Sequence, residues 1–576
     1  MRGRLRGTTK AAMQIRSQEK QRECEAKLLE QGVRRSKRIA GIGTDNVPGH
    51  DVNDYEANEI NDEIIPNDLK EAKEGKDWSN WYKAMEEELE SLNSHKVWEI
   101  VERPPNSKII KSKWIYSIKN SSDPKNKIKR FKARLVATGF NQVRHRDYEE
   151  SYSPVVNIEA WRTLLCIAAK QNMRIRFFDI KTAYLYGSIN ETVYMEAPLG
   201  FEKMISPNKV CKLRKSIYGL PQSGRNWFKR LCQELLNLHL KQLASDSCIF
   251  VYNKNNIFIC VSTYVDDLSV IDNNSKAGDK FIEKLRAVLE LNKTTNKGTF
   301  LGMEVRQSEK EITISQELYI KTLLTKYGMS DCKPVATPIV PGQDKELDQP
   351  DELIESQVYQ ELVGELLYLS NKTRPDITFA TSYLSQFNTQ PEKRHYIMAK
   401  RILRYLSNTL NYKLHYDREP GTLNGSSDAS WGNGMKMKSF SGGVIQLGKS
   451  LIMWHCRKQK CVADSTCEAE LFAINDLTKN VKWLIGLLSE LGFEILYKLP
   501  VLIASDSQLA IDVLKEARSS RKLRHVLLKV QFIKDEVAER RVHIYYVNTD
   551  FMKADFLTKA VTKEKLVWSS KELNLY

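Results

Sequence analysis

The alternation of apolar and polar positions changes character several times along the chain. Up to about residue 58 it is polar, with a basic stretch at Arg34-Arg35-Ser36-Lys37-Arg38 and an acidic run beginning at Asp45, the composition of a disordered tail. A compact pattern begins near Trp78, where Trp81, Met85 and Leu89 recur at helical spacing. From Lys108 to Arg146, twelve Lys/Arg stand against the single acid Asp123. They interleave with the alternation Trp114, Tyr116, Ile118, which predicts strands with one charged face. Apolar residues Ile257, Phe258, Ile259 and Val261, then Leu268, Val270 and Ile271, flank Tyr264-Val265-Asp266-Asp267 and predict two strands joined by a tight turn. From Pro350 to Tyr416 the spacing of Leu362, Leu366, Leu367 and Leu369, then Ile402, Leu403 and Leu406, is helical.

The segment from Gly421 to about Lys565 follows a different rhythm. Strand-like runs around Ser426–Asp428, Gly443–Leu447 and Leu451–Trp454 precede a long helix from Thr466. A strand at Val501–Ala504, a helix, a strand at Val542–Val547 and a terminal helix complete the order. That β-β-β-α-β-α-β-α order is a mixed α/β layer structure.

Composition narrows the function classes. A chain of 576 residues exceeds one ordinary core, and its 41% hydrophobic content suffices for several. The net charge of +17 calls for a polyanion, either nucleic acid or an anionic membrane. No apolar run reaches membrane-spanning length and Met1-Arg2-Gly3-Arg4 opens no signal peptide, so nucleic acid is favoured and no membrane partner is expected. The cysteines are scattered. Cys456, Cys461 and Cys467 beside His455 lack the paired spacing of a zinc site and read as reduced thiols of an intracellular protein.

Asp266 and Asp267 fall at the expected hairpin tip, where an Asp pair is also ordinary turn chemistry. Asp179 ends the apolar run Ile175, Phe177, Phe178, a place where a lone Asp can simply cap a helix. Together the three offer hard oxygen donors for Mg²⁺, and two such ions ~3.5–4 Å apart catalyse in-line phosphoryl transfer. A separate set, Asp428, Glu470, Asp506 and Asp555, lies at strand edges or on a facing helix. Glu470 is chosen over Glu468 because Ala473, Ile474, Leu477, Val481 and Leu484 extend its side of the helix as an apolar stripe.

Seven segments then carry a family resemblance. Arg130-Phe-Lys-Ala-Arg-Leu-Val-Ala-Thr-Gly139, Phe178-Asp-Ile-Lys-Thr-Ala-Tyr-Leu-Tyr-Gly187, Lys215-Ser-Ile-Tyr-Gly-Leu-Pro-Gln222 and Tyr264-Val-Asp-Asp267 resemble the Pol polyproteins of copia-type LTR retrotransposons. So do Phe300-Leu-Gly-Met303, Cys332-Lys-Pro-Val-Ala-Thr-Pro338 and Thr373-Arg-Pro-Asp376, and the likeness runs from Trp78 to about Lys559. The resemblance implies an α+β right-hand polymerase of fingers, palm and thumb, then a connection and an α/β ribonuclease H-like domain. The expected divisions are a tail at 1–58, polymerase at 59–330, helical connection at 331–420, nuclease at 421–565 and a C-terminal tail at 566–576.

The implied activity is RNA-directed DNA polymerase with ribonuclease H, using Mg²⁺, two ions per active site, or Mn²⁺ in its place. Asp179, Asp266 and Asp267 match the family's metal ligands, beside Tyr264. Arg134 matches the residue gripping the incoming triphosphate, with Lys132 as a companion that equally suits a solvated face. Tyr184 matches the ring that would clash with a ribose 2′-hydroxyl, and Gln222 a residue of the nucleotide pocket. In the nuclease part, Ser427-Asp-Ala-Ser-Trp431, Cys467-Glu-Ala-Glu470, Ser505-Asp-Ser-Gln508 and Ala554-Asp-Phe-Leu-Thr-Lys559 match the family, and four carboxylates would gather two Mg²⁺. His525 lies where the family keeps a histidine for proton transfer or product release; a surface histidine without a role is the competing reading. Asn433 and the run His525-Val526-Leu527 depart from the family pattern without removing a proposed ligand.

The implied partners are an RNA template, a DNA primer, the RNA–DNA hybrid and dNTPs, with a homo-oligomer or other polyprotein products left open. The implied location is a cytoplasmic virus-like particle, with the nucleus as an alternative. Without capsid, protease or integrase motifs, the chain is expected to be a processed or truncated piece. Two other readings stand beside the enzyme: a catalytically impaired relic that still binds nucleic acid, and a nuclease alone.

Overall fold

Period-two alternation dictates the first hairpin. Trp114 and Tyr116 on β1 (Ser112–Lys119) and Ala133, Leu135 and Ala137 on β2 (Arg130–Ala137) are buried, so one face of this antiparallel pair is apolar. The other face carries Lys132 and Arg134. The apolar face packs on helix α1 (Trp78–Ser94), where the Trp81 and Phe131 rings meet edge-on at 4.6 Å. In this computed structural model the described residues are 65–119, 130–293, 297–342, 351–516 and 526–576; the expected N-terminal tail and His525 lie outside them.

The central sheet is antiparallel throughout. It is built from β3 (Arg174–Ile180), β4 (Lys241–Gln242), β5 (Ile249–Lys254), β6 (Ile257–Tyr264), β7 (Asp267–Asp272) and β8 (Leu291–Lys293), in the order β8-β3-β7-β6-β5-β4. Two helices flank it in sequence. α2 (Ile158–Lys170) starts at an Asn157 cap and is buried from Ala160 to Ala169 without interruption, whereas α3 (Ser223–Asn237) buries one side only. A helix apolar all round needs partners on every side. For α2, later segments supply them: the Arg162 guanidinium lies 3.7 Å from the centre of the Trp454 ring, and the Trp454 indole N–H donates to the Ser370 carbonyl at 2.8 Å.

A second antiparallel sheet runs β9 (Lys297–Phe300), β10 (Met303–Gln307), β11 (Glu311–Ser315) and β12 (Leu414–Asp417). Helices α4 (Ser356–Lys372), α5 (Thr378–Leu384) and α6 (Lys393–Asn408) intervene before β12. The helical expectation up to Tyr416 therefore ends too late. Leu414 and Tyr416 are buried while His415 and Asp417 are not, and this alternation lets the segment pair with β11 from Glu311↔Asp417 to Ile314↔Leu414.

The C-terminal sheet contains β13 (Leu423–Gly434), β14 (Lys438–Leu447), β15 (Ser450–Lys458), β16 (Val501–Ser505) and β17 (Val542–Tyr546), ordered β15-β14-β13-β16-β17. β13 to β15 are antiparallel, while β16 and β17 continue from β13 in parallel. α7 (Thr466–Leu491) covers one face. Two helices, α8 (Gln508–Lys515) and α9 (Leu527–Ala538), stand where one was expected, and α10 (Lys563–Glu572) ends the chain. The expected tail at 566–576 is instead docked. Leu566, Leu573 and Leu575 are buried and Leu575 bridges Leu414, because these apolar side chains complete the core beside β12. One hydrophobic cluster runs continuously from α2 through α4–α6 to α7 and the C-terminal sheet.

Candidate active sites

The first acidic centre depends on strand register. β6 and β7 form a hairpin closed by the pair Tyr264↔Asp267, with Val265 and Asp266 as its two-residue loop. On its other side β7 pairs with β3, and Asp267 falls opposite Asp179. Directly opposed residues share a face with Cβ atoms about 4.5–5.5 Å apart, so chain-distant carboxylates become neighbours. Asp266 stands at the tip, and its carbonyl accepts the Ile180 N–H at 2.8 Å, tying the tip to the end of β3. The Asp179 carboxylate accepts from the Asn292 amide at 3.1 Å. All three acids are half-buried, open to an incoming group.

A second surface is prepared by glycines. Gly219 has φ +91°, and a Cβ there would lie 2.1 Å from the Ala137 carbonyl oxygen; one on Gly139 would lie 2.2 Å from the Gly219 carbonyl. Only glycine lets β2 approach the 215–222 loop this closely, and the Ala137 N–H to Tyr218 carbonyl bond of 2.8 Å secures it. Arg134 consequently lies over the Tyr218 ring at 4.7 Å, and Tyr184 meets the same ring edge-on at 4.7 Å. Gln222, at the start of α3, is buried, yet neither atom of its amide has a hydrogen-bond partner. A buried amide left unbonded costs about 1–3 kcal/mol, and a polar ligand arriving at this surface would satisfy it. Lys132 is half-buried on the same face of β2 as Arg134. Beneath them Glu88 of α1 accepts the Leu135 N–H at 3.3 Å; burial pushes its carboxyl up, against the pull of Arg134 and Lys132.

The second acidic centre is more enclosed. Asp428 on β13, Glu470 on α7 and Asp506 just after β16 each offer an oxygen within 4.8 Å of the others, the one such group among the described residues. Burial pushes the Asp428 carboxyl up to about 7, Lys559 and Thr558 opposing and Asp555 and Asp506 reinforcing. Burial, then Asp428 and Asp506, hold Glu470 well above the usual carboxylate range. One Glu470 oxygen accepts the Ala429 N–H at 3.1 Å, and the other has no hydrogen-bond partner. The Thr549 hydroxyl donates to Asp506 at 2.8 Å, and the Thr558 hydroxyl donates to Asp428. Three crowded carboxylates with an orphaned oxygen are a donor set for a hard divalent cation.

Asp555 stands apart from this trio. Its carboxylate pairs with Lys559 at 2.8 Å and Lys565 at 3.5 Å, close enough to Asp428 to affect it but outside the close group. Although burial opposes it, Asp428 and Asp555 keep the Lys559 ammonium above its ordinary pKa. Glu470 is the glutamate that joins the trio, yet the stripe used to select it does not discriminate: Glu468 and Asn475 are buried too, because α7 is enclosed on nearly all sides in its first half. Glu468 instead accepts the Asp464 N–H at 2.8 Å. Glu88, Asn292 and Thr549 carried no motif of their own that singled them out, and Lys559 closed the Ala554–Lys559 motif without a role being read for it; a hydroxyl or cation near an acid in space has no sequence periodicity.

Residues 95–341 match the reverse transcriptase (RNA-dependent DNA polymerase) family. Over 88% of its length the chain is 32% identical to the retrovirus-related Pol polyprotein from transposon TNT 1-94 of Nicotiana tabacum, covering 38% of that protein. It is 33% identical over 84% of its length to the polyprotein from transposon RE1 of Arabidopsis thaliana, covering 33% of it. The chain thus spans about a third of the length of the curated relatives it matches. Among solved structures, the foamy viral protease-reverse transcriptase dRH in complex with double-stranded DNA aligns at 11% identity and a TM-score of 0.46, over 82% of this chain and 70% of that one. With its reverse transcriptase region at residues 95–341, the chain belongs to the retrovirus-related Pol polyproteins of copia-type transposons.

Proposed function

We propose that the chain is an RNA-directed DNA polymerase with its centre at Asp179, Asp266 and Asp267, and that Asp428, Glu470 and Asp506 form a ribonuclease H centre. The pairing of Asp179 with Asp267 carries the first assignment, since it sets these acids against each other beside the hairpin tip, and α3, which starts after Gln222, touches that tip through Trp227. In this reading the β1–β2 hairpin and its neighbours are the fingers, the central sheet the palm and the β9–β12 sheet the thumb, with α4–α6 as connection. The close carboxylate trio supports the second assignment. Mg²⁺ held by these acids would activate the attacking oxygen and stabilise the leaving one.

The protein's own groups do the rest. The Arg134 guanidinium, held over the Tyr218 ring, presents its donors to the incoming triphosphate, with Lys132 alongside. Tyr184, steadied by the same ring, limits the space beside the sugar. Gln222 satisfies its amide on the nucleotide. Asp555, fixed by Lys559 and Lys565, sets the field around Asp428. The excess of 89 Lys/Arg over 72 Asp/Glu favours phosphate backbones over any particular base sequence, so the partners are template RNA, primer DNA and their hybrid.

Two assays on one preparation test both assignments. Primer extension on an RNA template is expected to vanish in Asp266→Asn with hybrid cleavage retained, and Asp428→Asn should do the reverse. Polymerisation surviving in Asp266→Asn would refute the first centre; cleavage surviving in Asp428→Asn would refute the second.

A further inference from the structure

The tip that carries the polymerase acids contradicts its own local preference. Val265 is the first central residue of the two-residue loop and has φ +53°, while Asp266 has no positive φ. Hairpin loops with that sign pattern favour glycine at the first central position. A β-branched residue there is a steric outlier, because Cβ and its two substituents crowd the backbone. Something outside the hairpin must hold it.

One side chain does so. Trp227 is buried on α3, and its indole N–H donates to the Val265 carbonyl at 2.6 Å. The tryptophan cannot easily move: a Cβ on Gly187 would lie 2.8 Å from its backbone nitrogen, and the Tyr186 ring is 6.0 Å from its own. The same helix is capped by Gln222, so one rigid element touches both the proposed nucleotide surface and the acid-bearing tip. Strained backbone persists only where its surroundings over-determine it, and it concentrates where geometry matters chemically.

We infer that Trp227 is a positioning residue: its indole clamps Val265 in the left-handed conformation and thereby fixes the directions in which Asp266 and Asp267 project. This rests on the polymerase reading of the hairpin. A tryptophan that merely fills the core would act on stability alone, whereas a clamp is coupled to the residue it holds.

That coupling is measurable in the full chain with Trp227→Phe, Val265→Gly and the double variant. Trp227→Phe keeps an aromatic ring but removes the donor, and kcat for primer extension should fall about tenfold with the dNTP KM nearly unchanged, the scale of one lost buried hydrogen bond. Backbone hydrogen exchange in the Ile257–Asp272 hairpin should rise relative to that in the β13–β15 sheet. Glycine adopts positive φ without a clamp, so Val265→Gly should restore most of the lost rate in the double variant. A double variant no better than Trp227→Phe overturns the inference, as does a Trp227→Phe protein with parental rate and exchange. If Trp227→Phe alone fails to fold, recovery of folding and incorporation in the double variant supports the clamp, and joint failure overturns it. A parent that incorporates nothing refutes the polymerase reading; the exchange comparison still decides the clamp.

Discussion

Replacing Asp428 by asparagine should stabilise the metal-free protein in neutral to alkaline solution while abolishing cleavage of the hybrid. Burial raises this carboxyl from 3.8 to about 7. At about 1.4 kcal/mol per pKa unit, ionising it in the folded chain costs roughly 4 kcal/mol more than in the unfolded one. Glu470 occupies the same crowded space, and part of that cost remains with it after the substitution, so a gain on the order of 2 kcal/mol is expected. The sign follows from proton counting. The folded carboxyl keeps its proton to higher pH than the unfolded one, so the native state binds more protons between about pH 4 and 7 and loses stability as pH rises through that window. Parent and Asp428→Asn should therefore unfold at similar temperatures near pH ~4 and diverge by pH ~8, with the variant higher. Thermal unfolding in a chelator across that range measures the difference, and Mg²⁺ added at the alkaline end should raise the parent but not the variant. A variant no more stable than the parent at alkaline pH, or an offset that does not change with pH, would refute the account of crowded carboxylates.

Other perturbations read other parts of the structure. Gln222→Leu removes an unbonded buried amide, so folding stability should hold or rise by about 1 kcal/mol while the dNTP KM rises severalfold; a clear loss of stability would mean that the amide is bonded in solution. Gly219→Ala meets both a φ of +91° and the Ala137 carbonyl at 2.1 Å, and should destabilise by roughly 2–3 kcal/mol in denaturant unfolding and detach β2 from the loop. Tyr184→Val is expected to raise the ratio of ribonucleotide to deoxynucleotide kcat/KM, and an unchanged ratio would relegate the ring to packing. Binding of a hybrid should weaken steeply with salt, by an amount nearly independent of sequence, when followed by fluorescence anisotropy.

Local order in this chain is written in its periodicities. The alternation around Trp114 and Tyr116, the apolar runs on either side of Tyr264–Asp267 and, apart from the second helix between β16 and β17, the β-β-β-α-β-α-β-α rhythm after Gly421 reappear as elements, because pleat and helical turn are properties of neighbouring residues. Asp179 and Asp267 stand at strand ends and Glu470 on a helix as their neighbours imply, whereas Asp428 falls in the middle of β13, which runs on to Gly434. Where periodicity meets long-range packing, it falls short. Leu414–Asp417 is short enough to follow either period and becomes a strand only because β11 offers it an edge. Glu468 and Glu470 are both buried, so no count along α7 separates them; the position of Asp428 and Asp506 across the fold does. The register that sets Asp179 against Asp267, the lysines that draw Asp555 aside and the indole that restrains Val265 belong to the tertiary structure alone. Each is a contact between segments far apart in the chain, and such contacts form only when the whole core decides which faces are buried together.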